Sequence, residues 1–373
     1  MQKTIAIVIN TSWNIYNFRV GLLKALQKEG YKIIAIAPYD RYSEKLENLG
    51  FKYYEIKINN KGTNPIEDAK LIWDFYRLYK KLDIDVLLHY TIKPNIYGTM
   101  AARMLEIPVI SNISGLGTVF INDGVSSKIA RLLYKIALKH PKKVFYQNNE
   151  DRALFIRSHL VTKEKTEVLP GSGIDTQKFR PIQTAKKSEK TNFLFIARLL
   201  KDKGLVEYVE AAKNMLKEGK SKCYILGAFY EGNPSAISKR EMQLWEAEGI
   251  VTYLGVSDNV AMHIASVDCV VLPSYREGLS RVLLESASMG KPIITTNVPG
   301  CKEVVDHGIN GYICKVKSTL SLTHAMHKMV NLSETERQIM GQNGRKKVIE
   351  YFDEKKVIQK YQDALSKIFH TQT

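Results

Sequence analysis

Two acidic side chains in the second half of the chain have a spacing that could serve chemistry. Glu277 and Glu285 bracket the segment EGLSRVLLE, which follows an apolar run and has the pattern of a turn entering a helix. Gly278 would let the backbone approach a ligand closely. The free N–H groups at the helix start, near Leu279 and Ser280, would favour an anion. This stretch therefore predicts a ligand site rather than an ordinary turn.

The spacing of the two carboxylates limits what they can do. Along a helix they would lie about 12 Å apart, which is too far to act on the two faces of one glycosidic bond. We therefore expect Glu277 and Glu285 to bind hydroxyl groups at two ends of one ligand. The alternative is that Glu277 caps the helix and Glu285 is an ordinary exposed helix residue.

Two basic side chains could bind an anionic part of the same ligand. Arg198 and Lys203 follow the β-rich run 192–197, so they emerge at the carboxyl end of a predicted strand. A guanidinium matches phosphate oxygens and a lysine adds a second positive charge, so this pair would stabilise a diphosphate leaving group. A solvated basic loop is equally compatible with this spacing.

The elements that must position these residues form two series. Short β-rich runs alternate with helical patterns, which predicts parallel sheets covered by helices. The runs are 4–9, 32–37, 53–58, 84–89, 108–113 and 144–147, and then 192–197, 222–227, 250–255, 268–273, 291–296 and 311–316. We predict two doubly wound α/β domains facing across a cleft, over 1–180 and 191–352, joined by a polar linker near 184–191. A last helix, 353–373, could pack on either domain.

Composition narrows the class of protein. A chain of 373 residues suits two domains, and 45% hydrophobic residues exclude wholesale disorder. The four cysteines form no CxxC pair and no apolar signal segment is evident, so we expect a cytoplasmic protein. The net charge of +17 lies mostly in residues 1–185 and predicts an anionic partner, whether nucleic acid, lipid headgroups or a phosphorylated substrate.

Two motifs carry less weight. Gly171-Ser-Gly173 lacks the third glycine of a dinucleotide fingerprint and suggests a hinge. Asp83-Ile-Asp85 is a D-x-D, but it precedes a strand, whereas ligand sites lie at carboxyl ends. We therefore predict a polar turn there and no metal site.

A combination of segments resembles the retaining nucleotide-sugar glycosyltransferases of family 4, which have the GT-B fold. The resemblance rests on Arg198 with Lys203, on EGLSRVLLE, and on ASMGKPIITTNVPGCKEVV at 287–305. It covers nearly the whole chain and is strongest from 192 to 316. TIKPNIYG (91–98), GLGTVF (115–120) and LPGSGIDTQKFRP (169–181) are similar to bacterial members that build capsules, O-antigens and protein-linked glycans on polyprenyl diphosphate.

The resemblance implies a role for each site residue. Arg198 and Lys203 would bind the donor diphosphate together with backbone N–H groups after Gly278, and Glu277 would contact the transferred sugar. Glu285 would bind the ribose hydroxyls, and Gly255 and Val256 would lie near the uracil. No metal or other cofactor is implied.

The sequence departs from the family pattern at two places. The first loop, 10–14, contains no glycine, although this loop is glycine-rich in many members. His89 does not cleanly match a histidine that is often found after the fourth strand.

Two segments of the first half could serve a lipid-linked acceptor. TIKPNIYG follows a strand, so Lys93, Asn95 and Tyr97 could meet the acceptor; the alternative is a proline-containing loop before a helix. The segment 125–143 has a basic face and an apolar face and could lie on an anionic membrane; its apolar face could equally pack on its own sheet. Its basic residues include Lys128, Arg131, Lys135 and Lys139.

We therefore predict a retaining, metal-independent glycosyltransferase at the inner face of the cell membrane. It would move a hexose or N-acetylhexosamine from a UDP-sugar to a polyprenyl-diphosphate-linked oligosaccharide. A UDP-sugar 2-epimerase on the same fold is the main alternative, although we find no acid and base set for it. A nucleic-acid-binding protein and an inactive lectin-like relative are more distant alternatives; no base-reading motif supports the first, and the intact Arg198, Lys203, Glu277 and Glu285 argue against the second.

Overall fold

The computed structural model describes residues 2–59, 64–115, 125–184, 189–230 and 232–370. Its contacts divide the chain into two units: Met1–Gly173 with Glu354–Thr373, called unit 1 here, and Ile174–Asp353, called unit 2. The division falls ahead of the predicted linker because Ile174 and Phe179 pack into the core of unit 2. Half of that linker (185–188) and most of GLGTVF (116–120) lie outside the described residues.

Unit 1 contains a seven-stranded parallel sheet in the order β3-β2-β1-β4-β5-β6-β7. Its strands are β1 (Thr4–Val8), β2 (Lys32–Ala37), β3 (Lys52–Glu55), β4 (Val86–Tyr90), β5 (Val109–Ile113), β6 (Lys143–Tyr146) and β7 (Thr166–Val168). All residues of β1, β4 and β5 are buried, as expected for parallel strands with helices on both faces.

Seven helices of unit 1 connect these strands in the described part of the chain. They are α1 (Ser12–Phe18), α2 (Val20–Lys28), α3 (Ser43–Asn48), α4 (Pro65–Leu82), α5 (Thr99–Met104), α6 (Val125–Ala137) and α7 (Asn149–Arg157). Helix α4 starts with an Asn64 cap and a proline in its first turn and ends at Asp83, whose φ is 47°. A π-helical turn, Pro94–Gly98, precedes α5.

Unit 2 contains a six-stranded parallel sheet in the order β10-β9-β8-β11-β12-β13. The strands are β8 (Thr191–Ile196), β9 (Ser221–Leu226), β10 (Thr252–Tyr253), β11 (Cys269–Leu272), β12 (Ile293–Thr296) and β13 (Gly311–Cys314). Its helices are α8 (Leu205–Leu216), α9 (Lys239–Ala247), α10 (Val260–Ala265), α11 (Arg281–Ser288), α12 (Thr319–Asn331) and α13 (Glu334–Tyr351). The predicted pair of doubly wound parallel-sheet domains is confirmed.

The last helix, α14 (Glu354–His370), is part of unit 1. Its apolar face includes Val357, Tyr361 and Leu365, which are buried in the same cluster as β1 and β2. Burial of this apolar face explains why α14 joins the first sheet although it follows unit 2 in the chain.

Candidate functional site

Four of the predicted site residues in unit 2 lie where its strand order reverses. The chain leaves β8 toward β9 and β10 on one side and resumes at β11 on the other, so β8 and β11 are neighbours. Arg198 and Lys203 follow β8, and Glu277 and Gly278 follow β11. Carboxyl ends of strands at such a reversal are where open α/β sheets bind ligands.

Lys203 and Glu277 form the central pair of this site. The lysine Nζ lies 2.6 Å from the Glu277 Oε1, and the two side chains are 18% and 16% exposed. Each charge is therefore largely removed from water and held by the other, which fixes the orientation of both. The pair offers an ammonium and a carboxylate at one point, suited to a ligand with an anionic group beside a hydroxyl group.

Two glycines allow the loops of this site to meet. Gly204 has φ 75°, and a Cβ there would lie 2.1 Å from the Pro273 carbonyl oxygen. Gly300 has φ 80°, and a Cβ there would lie 2.4 Å from the Glu277 carbonyl oxygen. Any side chain at either position would push the loop after β8 or β12 away from the loop after β11.

A buried cysteine next to the pair is chemically inert. Burial raises the pKa of the Cys301 thiol, and the Glu277 carboxylate raises it further. Cys301 is therefore protonated at neutral pH, which excludes a thiolate nucleophile at this position.

The start of α11 is only partly available to an anion. Ser280 is its N-cap, but the Ser280 side chain makes no capping hydrogen bond, and its backbone N–H donates to the Gly300 carbonyl at 2.8 Å. Leu279 is half-buried and packs against the core of unit 2. Of the N–H groups that we predicted to meet phosphate, that of Ser280 is thus already bonded.

Glu285 is neither exposed nor unpaired. It is 7% exposed, and its Oε1 accepts a hydrogen bond from Arg281 Nε at 3.0 Å. Burial raises the pKa of Glu285, and the Arg281 guanidinium offsets this rise only in part. The alternative, that Glu285 is an ordinary exposed helix residue, is wrong, because this face of α11 packs inward. Arg281 was missed, although its i,i+4 position on the helix is a signal for such a pair.

Arg198 and the predicted uracil residues lie along the same sheet edge. Arg198 is exposed, and its guanidinium carbon lies 4.8 Å from the centre of the Tyr230 ring. The Gly255 carbonyl accepts a hydrogen bond from Gly227 N–H at 2.9 Å, and Val256 is 63% exposed. An exposed valine at a sheet edge is available to an apolar or aromatic ligand group.

The three predicted acceptor residues direct their polar groups into unit 1. Lys93 Nζ and the Tyr97 hydroxyl both bond to the Asp68 carboxylate, at 2.8 and 2.7 Å. Asn95 is fully buried and its Nδ2 donates to the Asn112 carbonyl at 2.9 Å. Asp68, which sequence reasoning missed, thus holds two of the three residues.

His89 and the first loop are the two places where the sequence departs from the family pattern. His89 is fully buried between the Tyr79 hydroxyl at 3.1 Å and Thr99 Oγ1 at 2.9 Å. Burial lowers the pKa of His89 to about 3, so it is a neutral core residue. The first loop is short, because α1 already begins at Ser12 with Thr11 as its cap.

Helix α6 exposes apolar and basic side chains on one side. Ile129, Leu132 and Ile136 are 46%, 58% and 41% exposed. Lys128 and Lys135 are exposed on α6 and Lys139 is exposed in the turn just after it, whereas Arg131 is only partly exposed. The apolar face predicted from the sequence is only partly buried. Ala137 is buried beside Ala130 and Tyr134, whereas Ile129, Leu132 and Ile136 remain exposed next to the lysines.

Two further findings bear on the sequence predictions. Asp85 lies just before β4 and accepts hydrogen bonds from Lys3 Nζ at 2.8 Å and from Thr4 N–H at 2.7 Å, so the D-x-D forms a turn at the amino end of that strand. Within the described ranges, no helix has both the length and the apolar character needed to cross a bilayer.

Two family models match this chain. Residues 4–148 match the Glycosyl transferase 4-like family, and residues 176–347 match the Glycosyl transferases group 1 family. The first match lies within unit 1 and the second within unit 2.

Several proteins of known sequence or structure are similar to this chain over most of their length. An N,N'-diacetylbacillosaminyl-diphospho-undecaprenol alpha-1,3-N-acetylgalactosaminyltransferase of Campylobacter jejuni is 29% identical over 364 residues, covering 93% of this chain and 94% of that protein. A UDP-Gal:alpha-D-GlcNAc-diphosphoundecaprenol alpha-1,3-galactosyltransferase of Escherichia coli is 26% identical, covering 80% of this chain and 79% of that protein. The crystal structure of a glycosyltransferase from Rickettsia africae superposes with a TM-score of 0.79 at 18% identity over 99% of both chains, which is a similarity of fold.

Proposed function

Because the chain is a GT-B glycosyltransferase whose halves belong to the glycosyl transferase 4-like and group 1 families, we propose that it moves a hexose or N-acetylhexosamine from a UDP-sugar to a polyprenyl-diphosphate-linked sugar. The observation that carries this proposal is the Lys203–Glu277 pair at the strand reversal of unit 2. Relatives that act on diphosphoundecaprenol-linked sugars support the acceptor, and one whose name includes UDP-Gal supports the donor.

The donor chemistry follows from the charges at this site. The Lys203 ammonium and the Arg198 guanidinium stabilise the negative charge that develops on the departing UDP. Glu277, oriented by Lys203, accepts a hydroxyl hydrogen bond from the transferred sugar. Glu285 serves the ribose hydroxyls once its carboxylate is shared between Arg281 and the ligand.

The proposed reaction retains the configuration of the sugar. The bond between the anomeric carbon and the UDP oxygen breaks, and the acceptor oxygen bonds to the same face of that carbon. The acceptor proton goes to the departing phosphate oxygen, so the step is balanced without a protein base. The two cations can stabilise the charge of the leaving group, and we therefore propose that no metal ion is needed.

A membrane-bound acceptor gives the exposed face of α6 a role. Lysines attract anionic headgroups, and exposed isoleucine and leucine side chains can enter the headgroup boundary. Lys128, Lys135 and Lys139 adjoin Ile129, Leu132 and Ile136 on this face. We propose that α6 lies on the anionic inner face of the cell membrane, where a polyprenyl-linked acceptor is embedded.

The proposed function is tested by release of UDP. A panel of UDP-sugars is incubated with the protein alone, with a short polyprenyl-diphosphate glycan, and with the same glycan lacking its diphosphate. We expect UDP to be released only with the complete acceptor. Mass spectrometry should then show a product that is heavier by one sugar. Conversion of the donor alone to an epimer would instead support the 2-epimerase and contradict the proposal.

A further inference from the structure

Unit 1 contains a buried arginine whose charge is not paired. Arg19 lies between α1 and α2 and is 4% exposed. Its Nε has no hydrogen-bond partner, and no carboxylate among the described residues lies within ion-pair distance of its guanidinium. Burial of an unpaired charge is unfavourable, so a ligand that pairs with it would be favoured.

The contact that Arg19 does make holds it in a fixed position. Its guanidinium carbon lies 4.4 Å from the centre of the Tyr90 ring. The Tyr90 hydroxyl bonds to the Tyr361 hydroxyl at 2.7 Å, which also accepts from Asn112 Nδ2 at 3.0 Å. The ring under the guanidinium is therefore anchored from strand β5 and helix α14.

The tyrosines do not neutralise the arginine. Burial raises the pKa of both Tyr90 and Tyr361, so both phenols are uncharged at neutral pH. The Glu354 carboxylate lies against Gly21, in the first turn of α2, so closely that a Cβ at Gly21 would clash with its Oε2. That helix start is thus already faced by an acid, and an incoming anion is assigned to the guanidinium rather than to the helix.

The location of Arg19 is that of a ligand site. In the sheet of unit 1 the strand order reverses between β1 and β4, and Tyr90 is the last residue of β4. This position corresponds to that of Lys203 and Glu277 in unit 2, which lie at the carboxyl ends of β8 and β11. Both sheets therefore carry a basic side chain at the point where ligands bind such folds.

We propose that Arg19 binds a diphosphate group at the strand reversal of unit 1. A guanidinium can donate two parallel hydrogen bonds to phosphate oxygens. The source of the diphosphate rests on the proposed function, in which both the UDP-sugar and the lipid-linked acceptor carry one. Because Arg198 and Lys203 of unit 2 serve the donor, we expect Arg19 to bind the acceptor.

The test compares three variants with the wild-type protein. Arg19→Met removes the charge, and Arg19→Lys keeps the charge without the planar group. Arg157→Met is the matched control, because Arg157 is an exposed arginine on α7 of the same unit. Far-ultraviolet circular dichroism and thermal unfolding show which variants are folded, and the KM for each substrate is measured separately.

We expect Arg19→Met to raise the acceptor KM about tenfold or more, with the donor KM within about twofold and Arg19→Lys intermediate. A rise in the donor KM alone would support a diphosphate site at Arg19 but would assign it to the donor. Unchanged KM values in a folded Arg19→Met protein would overturn the proposal, since a merely structural arginine moves stability and not substrate affinity. If Arg19→Met does not fold, Arg19→Lys decides by the same criterion.

A binding measurement separates this proposal from the proposed function. If the wild-type protein transfers no sugar to lipid-linked acceptors, the proposed function fails, and calorimetry with inorganic pyrophosphate in saturating UDP tests Arg19 alone. Binding that weakens about tenfold in Arg19→Met and not in Arg157→Met would support the site. Equal binding by all three proteins, or none by wild type, would overturn it.

Discussion

Lys203 Nζ lies 2.6 Å from Glu277 Oε1, which joins the loops that follow two neighbouring strands, β8 and β11. Neither side chain is more than 18% exposed. Each residue therefore both orients its partner and supplies the charge that its partner needs, so substitution of either affects the site and the fold together.

Activity and unfolding measurements on a Glu277 variant distinguish the effect on the site from the effect on the fold. Glu277→Gln keeps the shape of the side chain but removes its charge, and we expect kcat/KM to fall about 100-fold or more. The unfolding free energy measured in urea should fall by no more than about 3 kcal/mol, because Lys203 loses its partner but keeps some access to water.

An exposed ion pair in unit 2 provides the control. Lys213 and Glu248 lie 3.3 Å apart, and their side chains are 54% and 52% exposed. Glu248→Gln should change kcat/KM less than about twofold and stability by less than about 1 kcal/mol. Full turnover by Glu277→Gln would remove Glu277 from the site.

The proposed ribose contact of Glu285 can be tested by removing a hydroxyl from the ligand. Glu285→Gln should weaken UDP binding about tenfold, because a charged acceptor becomes a neutral amide. It should weaken 2′-deoxy-UDP binding much less if the 2′-hydroxyl is the partner. Calorimetry with both nucleotides gives the comparison. Equal losses for the two ligands would assign Glu285 to its ion pair with Arg281 alone.

The proposed role of α6 at a membrane predicts a change in liposome binding. Replacing Lys128, Lys135 and Lys139 by Gln should weaken sedimentation with anionic vesicles at least about tenfold, since each lysine contributes about 1 kcal/mol. Replacing the exposed Lys217, Lys220 and Lys222 of unit 2 is the matched control and should have little effect. Unchanged binding by the α6 variant would exclude this surface.

The sequence predicted the fold, and it predicted that Arg198 and Glu277 follow neighbouring strands, because both depend on local patterns. Largely apolar strands that alternate with helices specify parallel sheets, and residues that follow a strand must lie at its carboxyl end. Partnerships between distant segments left no such pattern. Tyr90 and Tyr361 bond to one another although they are 271 positions apart, and Asp68 binds Lys93 and Tyr97 across two elements.

The proposal that no metal ion is needed predicts that chelation leaves the transfer rate unchanged. If Arg198 and Lys203 neutralise the departing UDP, excess EDTA should leave the transfer rate within about twofold. Dialysis against chelator, followed by addition of Mg²⁺ or Mn²⁺, gives the comparison. A rate that collapses and returns with either cation would contradict the proposed leaving-group chemistry.

His89 predicts a pH dependence of stability in unit 1. Burial lowers the pKa of His89 from 6.5 to about 3, so the unfolded chain binds this proton at a higher pH than the folded chain does. The stability that the neutral imidazole provides is complete above pH 6.5 and is lost as the pH falls toward 3. The loss should be about 1.4 kcal/mol per pH unit within that window.

A glutamine variant isolates this proton from all other groups. Glutamine can keep hydrogen bonds to Tyr79 and Thr99 but does not titrate, so between pH 6.5 and 5 the wild type should lose about 2 kcal/mol more than His89→Gln. His159→Asn is the control, because His159 is exposed with φ 53°, a conformation that asparagine tolerates. Its pH profile should follow the wild type. Parallel profiles for wild type and His89→Gln would mean that the folded protein accepts the proton, and that His89 is open to solvent.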